Sequence, residues 1–99
     1  MLRCLIIDDD ELGRELLAAQ LESYAVCDLA ADGYEGVAKF AAALLEGNPY
    51  QVIFLDIVMP GMDGHAAAKA IRGLEQERGI VVEHGVNIVV LSALNTPQD

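Results

Sequence analysis

The chain has 99 residues, 54% of them hydrophobic, and a formal net charge of −10 at pH 7. That length suits one domain with a hydrophobic core, and that composition excludes a disordered chain. The acidic balance argues against direct nucleic-acid contact, which needs clustered Lys and Arg, and no apolar run approaches the roughly 20 residues of a membrane span.

In chain order, Arg3–Asp8 (RCLIID) reads as a short strand buried on both faces. Asp9 or Asp10 then caps a helix running to about Tyr24, with Leu17, Leu21 and Tyr24 in one stripe widened by Leu16. Val26–Ala31 is a weaker second strand. After an Asp32-Gly33 turn, Tyr34–Leu45 forms a helix with Val37, Phe40, Ala41 and Leu44 inward. Gly47-Asn48-Pro49 ends it, because Gly supplies positive φ and Pro cannot continue a helix. Tyr50–Asp56 is the third and most apolar strand, Gly64–Arg78 an alanine-rich helix, and Val86–Ser92 the fourth strand. Between them, Glu75–Asn87 is the longest irregular connection, and its Ile80-Val81-Val82 reads equally as a small hairpin or a packed loop.

This β-α-β-α-β-α-β alternation predicts an α/β fold, a parallel sheet with helices on both faces. The opening MLRCLIIDDDE puts acids where a signal peptide needs an apolar stretch, so a cytoplasmic location is expected. Cys4 and Cys27 lie in apolar runs and read as small hydrophobes. His65 and His84 lack metal-ligand spacing and take no role.

The carboxylates gather at strand ends. In an open parallel sheet, ligands bind outside the carboxyl ends of the strands, where strand order reverses. Strand 1 finishes in Asp8-Asp9-Asp10, strand 3 in Asp56 and strand 4 in Ser92. If strands 1 and 3 are neighbours, Asp8, Asp9 and Asp56 converge, repelling by about 1–4 kcal/mol per pair at a protein surface. A hard divalent cation relieves that repulsion, and carboxylates with waters and one carbonyl suit Mg²⁺ better than Ca²⁺. Capping alone explains Asp8–Asp10 in part but leaves Asp56 without a reason. Beside Mg²⁺, the Asp56 carboxylate can attack a phosphoryl group in line, and the Ser92 hydroxyl can hold its oxygens.

The pieces LIIDDDE, ADG at 31–33, VIFLDIVMPGMDG, IR at 71–72 and IVVLSAL at 88–94 together resemble the receiver domain of two-component response regulators. The resemblance covers nearly the whole chain, so residues 1–99 are expected to form one receiver domain. It implies a flavodoxin-like, doubly wound fold with strand order 2-1-3-4 over the strands present. It implies that Asp56 accepts phosphate from a phosphohistidine on a histidine kinase or phosphotransfer protein. By the same match Asp9 binds Mg²⁺ directly, Asp8 mostly through water, Asp56 as a further ligand, and the backbone carbonyl of Val58 completes the protein set. Ser92 resembles the switch hydroxyl.

Three departures follow. The family's fifth strand, with its lysine, and its fifth helix would come after the pattern that stops at Asp99, and none of the six basic residues reads as a strand-end lysine. The N-terminal part of a longer regulator and a naturally short receiver are both open readings of that end. The 36 residues from Asp56 to Ser92 are a few more than the family pattern, a surplus that Glu75–Asn87 absorbs. Position 58 is an apolar Val, which implies slow hydrolysis of an aspartyl phosphate. Self-association through strand 4, around Ile88–Leu91, is expected because that strand would lie on an open edge. Two competing functions are a phosphorylation-independent adaptor and a haloacid-dehalogenase-type phosphohydrolase. The second wants its nucleophile at the first strand.

Overall fold

A computed structural model describes residues 1–91 of the chain. Four strands, β1 (Leu2–Ile7), β2 (Ala25–Ala30), β3 (Val52–Asp56) and β4 (Asn87–Leu91), alternate with three helices, α1 (Glu11–Leu21), α2 (Gly33–Leu45) and α3 (Gly64–Glu77). All strand pairs are parallel, in the order β2-β1-β3-β4. This is the doubly wound order expected from the sequence.

The two faces of the sheet explain the helices. Leu5, Ile7, Ile53 and Leu55 point to one face and pack against Phe40 and Ala43 of α2 and Ala67 and Ile71 of α3. Cys4, Ile6, Val52 and Phe54 point to the other, under Leu17, Ala18 and Leu21 of α1. Central β1 is therefore apolar at every position from Cys4 to Ile7, all fully buried. Both cysteines are free thiols, and burial, with the Cys27 thiol beside it, pushes Cys4 up to about 12. Cys4 is packing material, as read.

Three helix assignments shift. α1 ends at Leu21, and Tyr24 falls in the following turn, where its N–H donates to the Leu21 carbonyl at 2.8 Å. Tyr24 and Leu16 are consequently exposed rather than part of the inward stripe. In α2 the deeply buried alanine is Ala43, while Ala41 is half-buried. Gly47 has the positive φ, 72°, anticipated at the end of α2.

The segment after α3 is a loop with half-buried Ile80, not a hairpin. Val82–His84 make one 3₁₀ turn, and Val81 and Val82 are exposed. What fixes this segment is Glu75, the only buried charged residue among those described. Its carboxylate accepts from the Val86 N–H at 2.7 Å and pairs with Arg72 at 2.8 Å, and its carbonyl accepts from the Ile80 N–H at 2.9 Å. β4 is thereby started at Asn87 and forms one edge of the described sheet, with Val89 and Val90 half exposed.

Candidate metal and phosphoacceptor site

The register of β1 and β3 builds the site. Ile7 pairs with Leu55, so the next residues, Asp8 and Asp56, lie side by side at the carboxyl ends of the two strands. Asp8 is still tied to the sheet, its N–H donating to the Ala30 carbonyl at 3.1 Å. Arg14 of α1 reaches back and donates to the Asp8 carbonyl at 2.8 Å. Asp10 caps α1, accepting from the Gly13 N–H at 3.2 Å, and its own N–H donates to the Asp8 carboxylate at 3.0 Å. The triple acid thus divides its labour. Asp10 serves the helix, which leaves Asp8 and Asp9 for the strand end.

One carboxylate oxygen from each of Asp8, Asp9 and Asp56 lies within 4.8 Å of the others. Asp8 and Asp56 are half-buried and Asp9 is exposed, so the cluster is accessible to solvent. Asp56 bears the strain of the crowding. Its carboxyl rises from 3.8 to about 6, through burial first, then through Asp8 and Asp9, against the opposing pull of the Val58 N–H. That N–H donates to Asp56 Oδ1 at 3.2 Å, which aims the carboxylate.

Three oxygen donors and no His or Cys suit a hard cation, and burial of Asp56, with the Asp8 and Asp9 charges adding to it, keeps its carboxyl raised. Asp8, Asp9 and Asp56 could hold Mg²⁺, and Val58 lies in the loop directly after β3. Ser92, expected as the switch hydroxyl, lies outside the described residues.

The raised carboxyl has a pH consequence. The folded chain binds the Asp56 proton more tightly than the unfolded chain does. This contribution to stability is therefore present below pH 3.8 and lost as pH rises through about 6. Partial exposure discounts it to about 1–2 kcal/mol. Asp56→Asn should gain that much over wild type at pH 7 in metal-free buffer, and almost nothing at pH 4. Urea melts at both pH values check it, and an equal difference at both would refute the crowding.

Sequence reasoning missed Arg14 at the site and, away from it, Glu75. Gly64 opens α3 and lies directly under the Asp56–Ile57 backbone, its N–H donating to the Ile57 carbonyl at 2.9 Å. The DG at 63–64 was a legible signal for a tight helix start.

Known proteins are consistent with this geometry. The sequence matches the response regulator receiver domain over residues 4–99. It is 35% identical over 92 residues to hybrid signal transduction histidine kinase F of Dictyostelium discoideum, an alignment of 92% of this chain and 8% of that protein. The receiver domain of the histidine kinase CKI1 from Arabidopsis thaliana, complexed with Mg²⁺ and BeF₃⁻, superposes with a TM-score of 0.79 at 24% identity, over 98% of this chain and 68% of that one. Response regulator protein TrrA from Thermotoga maritima, in complex with Mg²⁺-BeF, superposes with a TM-score of 0.72 at 32% identity, over 94% and 70%. The chain spans between 8% and 58% of the length of the first curated relatives it matches. With the strand order and the acid cluster, the match over residues 4–99 decides the assignment: the chain belongs to the response regulator receiver domain family.

Proposed function

We propose that residues 1–99 act as one receiver unit of a two-component phosphorelay. Asp56 takes a phosphoryl group from a phosphohistidine on a histidine kinase or phosphotransfer protein. A carboxylate oxygen of Asp56 forms the new O–P bond as the N–P bond to the donor imidazole breaks. The unit catalyses this transfer on itself, and its phosphorylation switches the binding of a partner or effector. The observation that carries the reading is the convergence of Asp8, Asp9 and Asp56 within 4.8 Å at the ends of two adjacent strands.

Asp8, Asp9, Asp56 and the Val58 carbonyl are proposed as the Mg²⁺ ligands. The bound ion would neutralise charge on the phosphoryl oxygens. The Val58 N–H keeps Asp56 aimed, and the exposed Val58 side chain leaves the approach to it apolar. Ser92 is proposed as the hydroxyl that responds to the phosphoryl group. No helix among the described residues is long and apolar enough to cross a membrane.

Metal binding is the direct test. Mg²⁺ at one to ten times its dissociation constant should stabilise the fold by about 0.4–1.4 kcal/mol, and Asp9→Asn should lose most of this. Equal melting temperatures with and without Mg²⁺ would sink the site. The half-exposed Val89 and Val90 on the β4 edge support self-association there. Light scattering should then show a dimer at tens of micromolar, and a clean monomer would refute it.

A further inference from the structure

The loop between β3 and α3, residues 57–63, has to hold the Val58 backbone against Asp56, and it is anchored in the core by buried Met59 and at α3 by the Gly64 N–H on the Ile57 carbonyl. Further support comes from α2. A Cβ added at Gly33, the first residue of α2, would lie 2.8 Å from the Met62 carbonyl oxygen and 3.0 Å from Met62 Cβ and Cγ. The helix backbone therefore rests directly on the loop. One residue on, Tyr34 turns its ring edge onto Gly61, where a Cβ would meet Tyr34 Cε2 at 3.4 Å. The arrangement is reciprocal, with a glycine on the helix facing a loop side chain and a glycine on the loop facing a helix side chain. Gly61 has φ 75°, a conformation that glycine adopts freely. Tyr34 keeps this position although it is 63% exposed, so burial alone does not explain it.

We propose that the first turn of α2 is a strut that positions the β3–α3 loop, with Gly33 and Tyr34 as positioning residues for the Asp56–Val58 pair. This rests on the reading of Asp56 and its neighbours as a metal and phosphoacceptor site. Neither residue touches the carboxylates. They act through Met62 and Gly61, four and three residues along the loop from Val58. The ADG at 31–33 thereby gains a mechanical role. Asp32 caps α2, its side chain accepting from the Glu35 N–H at 2.8 Å, and this fixes where the turn presents Gly33.

Gly33→Ala separates this role from helix propensity. Gly73 of α3 is the control, because a Cβ there meets nothing within 4 Å. Magnesium affinity by calorimetry and backbone amide shifts of the ¹⁵N-labelled chain without metal are the readouts. Gly33→Ala should raise the Mg²⁺ dissociation constant about tenfold, the range seen for groups that orient ligands from behind, and should shift the Asp56 and Val58 amides. Gly73→Ala should do neither. A folded Gly33→Ala chain with the wild-type dissociation constant and unmoved Val58 amide would overturn the strut. If Gly33→Ala does not fold, Tyr34→Ala takes its place, and an unshifted Val58 amide there overturns it equally. A wild-type chain that fails to bind Mg²⁺ would refute the metal site, while the metal-free amide shifts still decide the strut.

Discussion

A small phosphodonor such as acetyl phosphate, with Mg²⁺, should place one phosphoryl group on the wild-type chain and none on Asp56→Ala. The carboxylate is itself the reactant, so its removal leaves no residual rate at that position. Asp9→Asn should retain the acceptor but react about 100-fold more slowly, the equivalent of about 3 kcal/mol of metal-held charge stabilisation. The two variants fail differently, which separates acceptor from ligand. Intact-protein mass spectrometry in acid, where acyl phosphates survive, reads both. Adduct persisting on Asp56→Ala would move the acceptor elsewhere. Asp8 would be the first suspect, since its carboxylate lies in the same cluster.

Gly64→Ala should be the most damaging single change at the site's support. A Cβ at Gly64 would overlap the Asp56 carbonyl oxygen and lie 2.6 Å from Ile57 Cα. Both neighbours are backbone, so no rotamer change relieves the contact. Either α3 withdraws from the sheet, opening the layer that holds Ala67 and Ile71, or the end of β3 bends. The expected cost is about 3 kcal/mol, roughly 15 °C in melting temperature for a chain of this size. The residual folded population should bind Mg²⁺ poorly, because Asp56 moves with its own carbonyl. Thermal unfolding with and without the metal checks both parts, and an unchanged melting temperature would refute the tight packing.

The strands were legible because a parallel sheet buries β1 on both faces, which writes an unbroken apolar run into Cys4–Ile7, whereas their order was implied by the resemblance to receiver domains. Asp8, Asp9 and Asp56 were legible because a charge ending such a run has no packing explanation. Helix faces were less so. Leu16 and Tyr24 fit a helical stripe by spacing, but α1 covers the sheet only through Leu17, Ala18 and Leu21, and the chain turns before Tyr24. Ala41 and Ala43 are chemically identical, so only the position of α2 against Ile7 and Leu55 could choose between them. Glu75 and Gly33 were illegible for a different reason. Each owes its role to residues 11 and 29 positions away, Val86 and Met62, and no local pattern encodes such a meeting.

The anchorage of Glu75 has a consequence for how this chain can be altered. Its carbonyl and carboxylate fix both ends of the stretch from Ile80 to Val86, so the residues between are bounded but not measured. Lengthening a loop whose ends are already held costs little, about 0.6 kcal/mol per doubling. Val82, 82% exposed, marks the crest of that stretch. It is a natural position for inserting an epitope or a fluorescent reporter, since added residues there would lengthen the chain without changing where β4 begins.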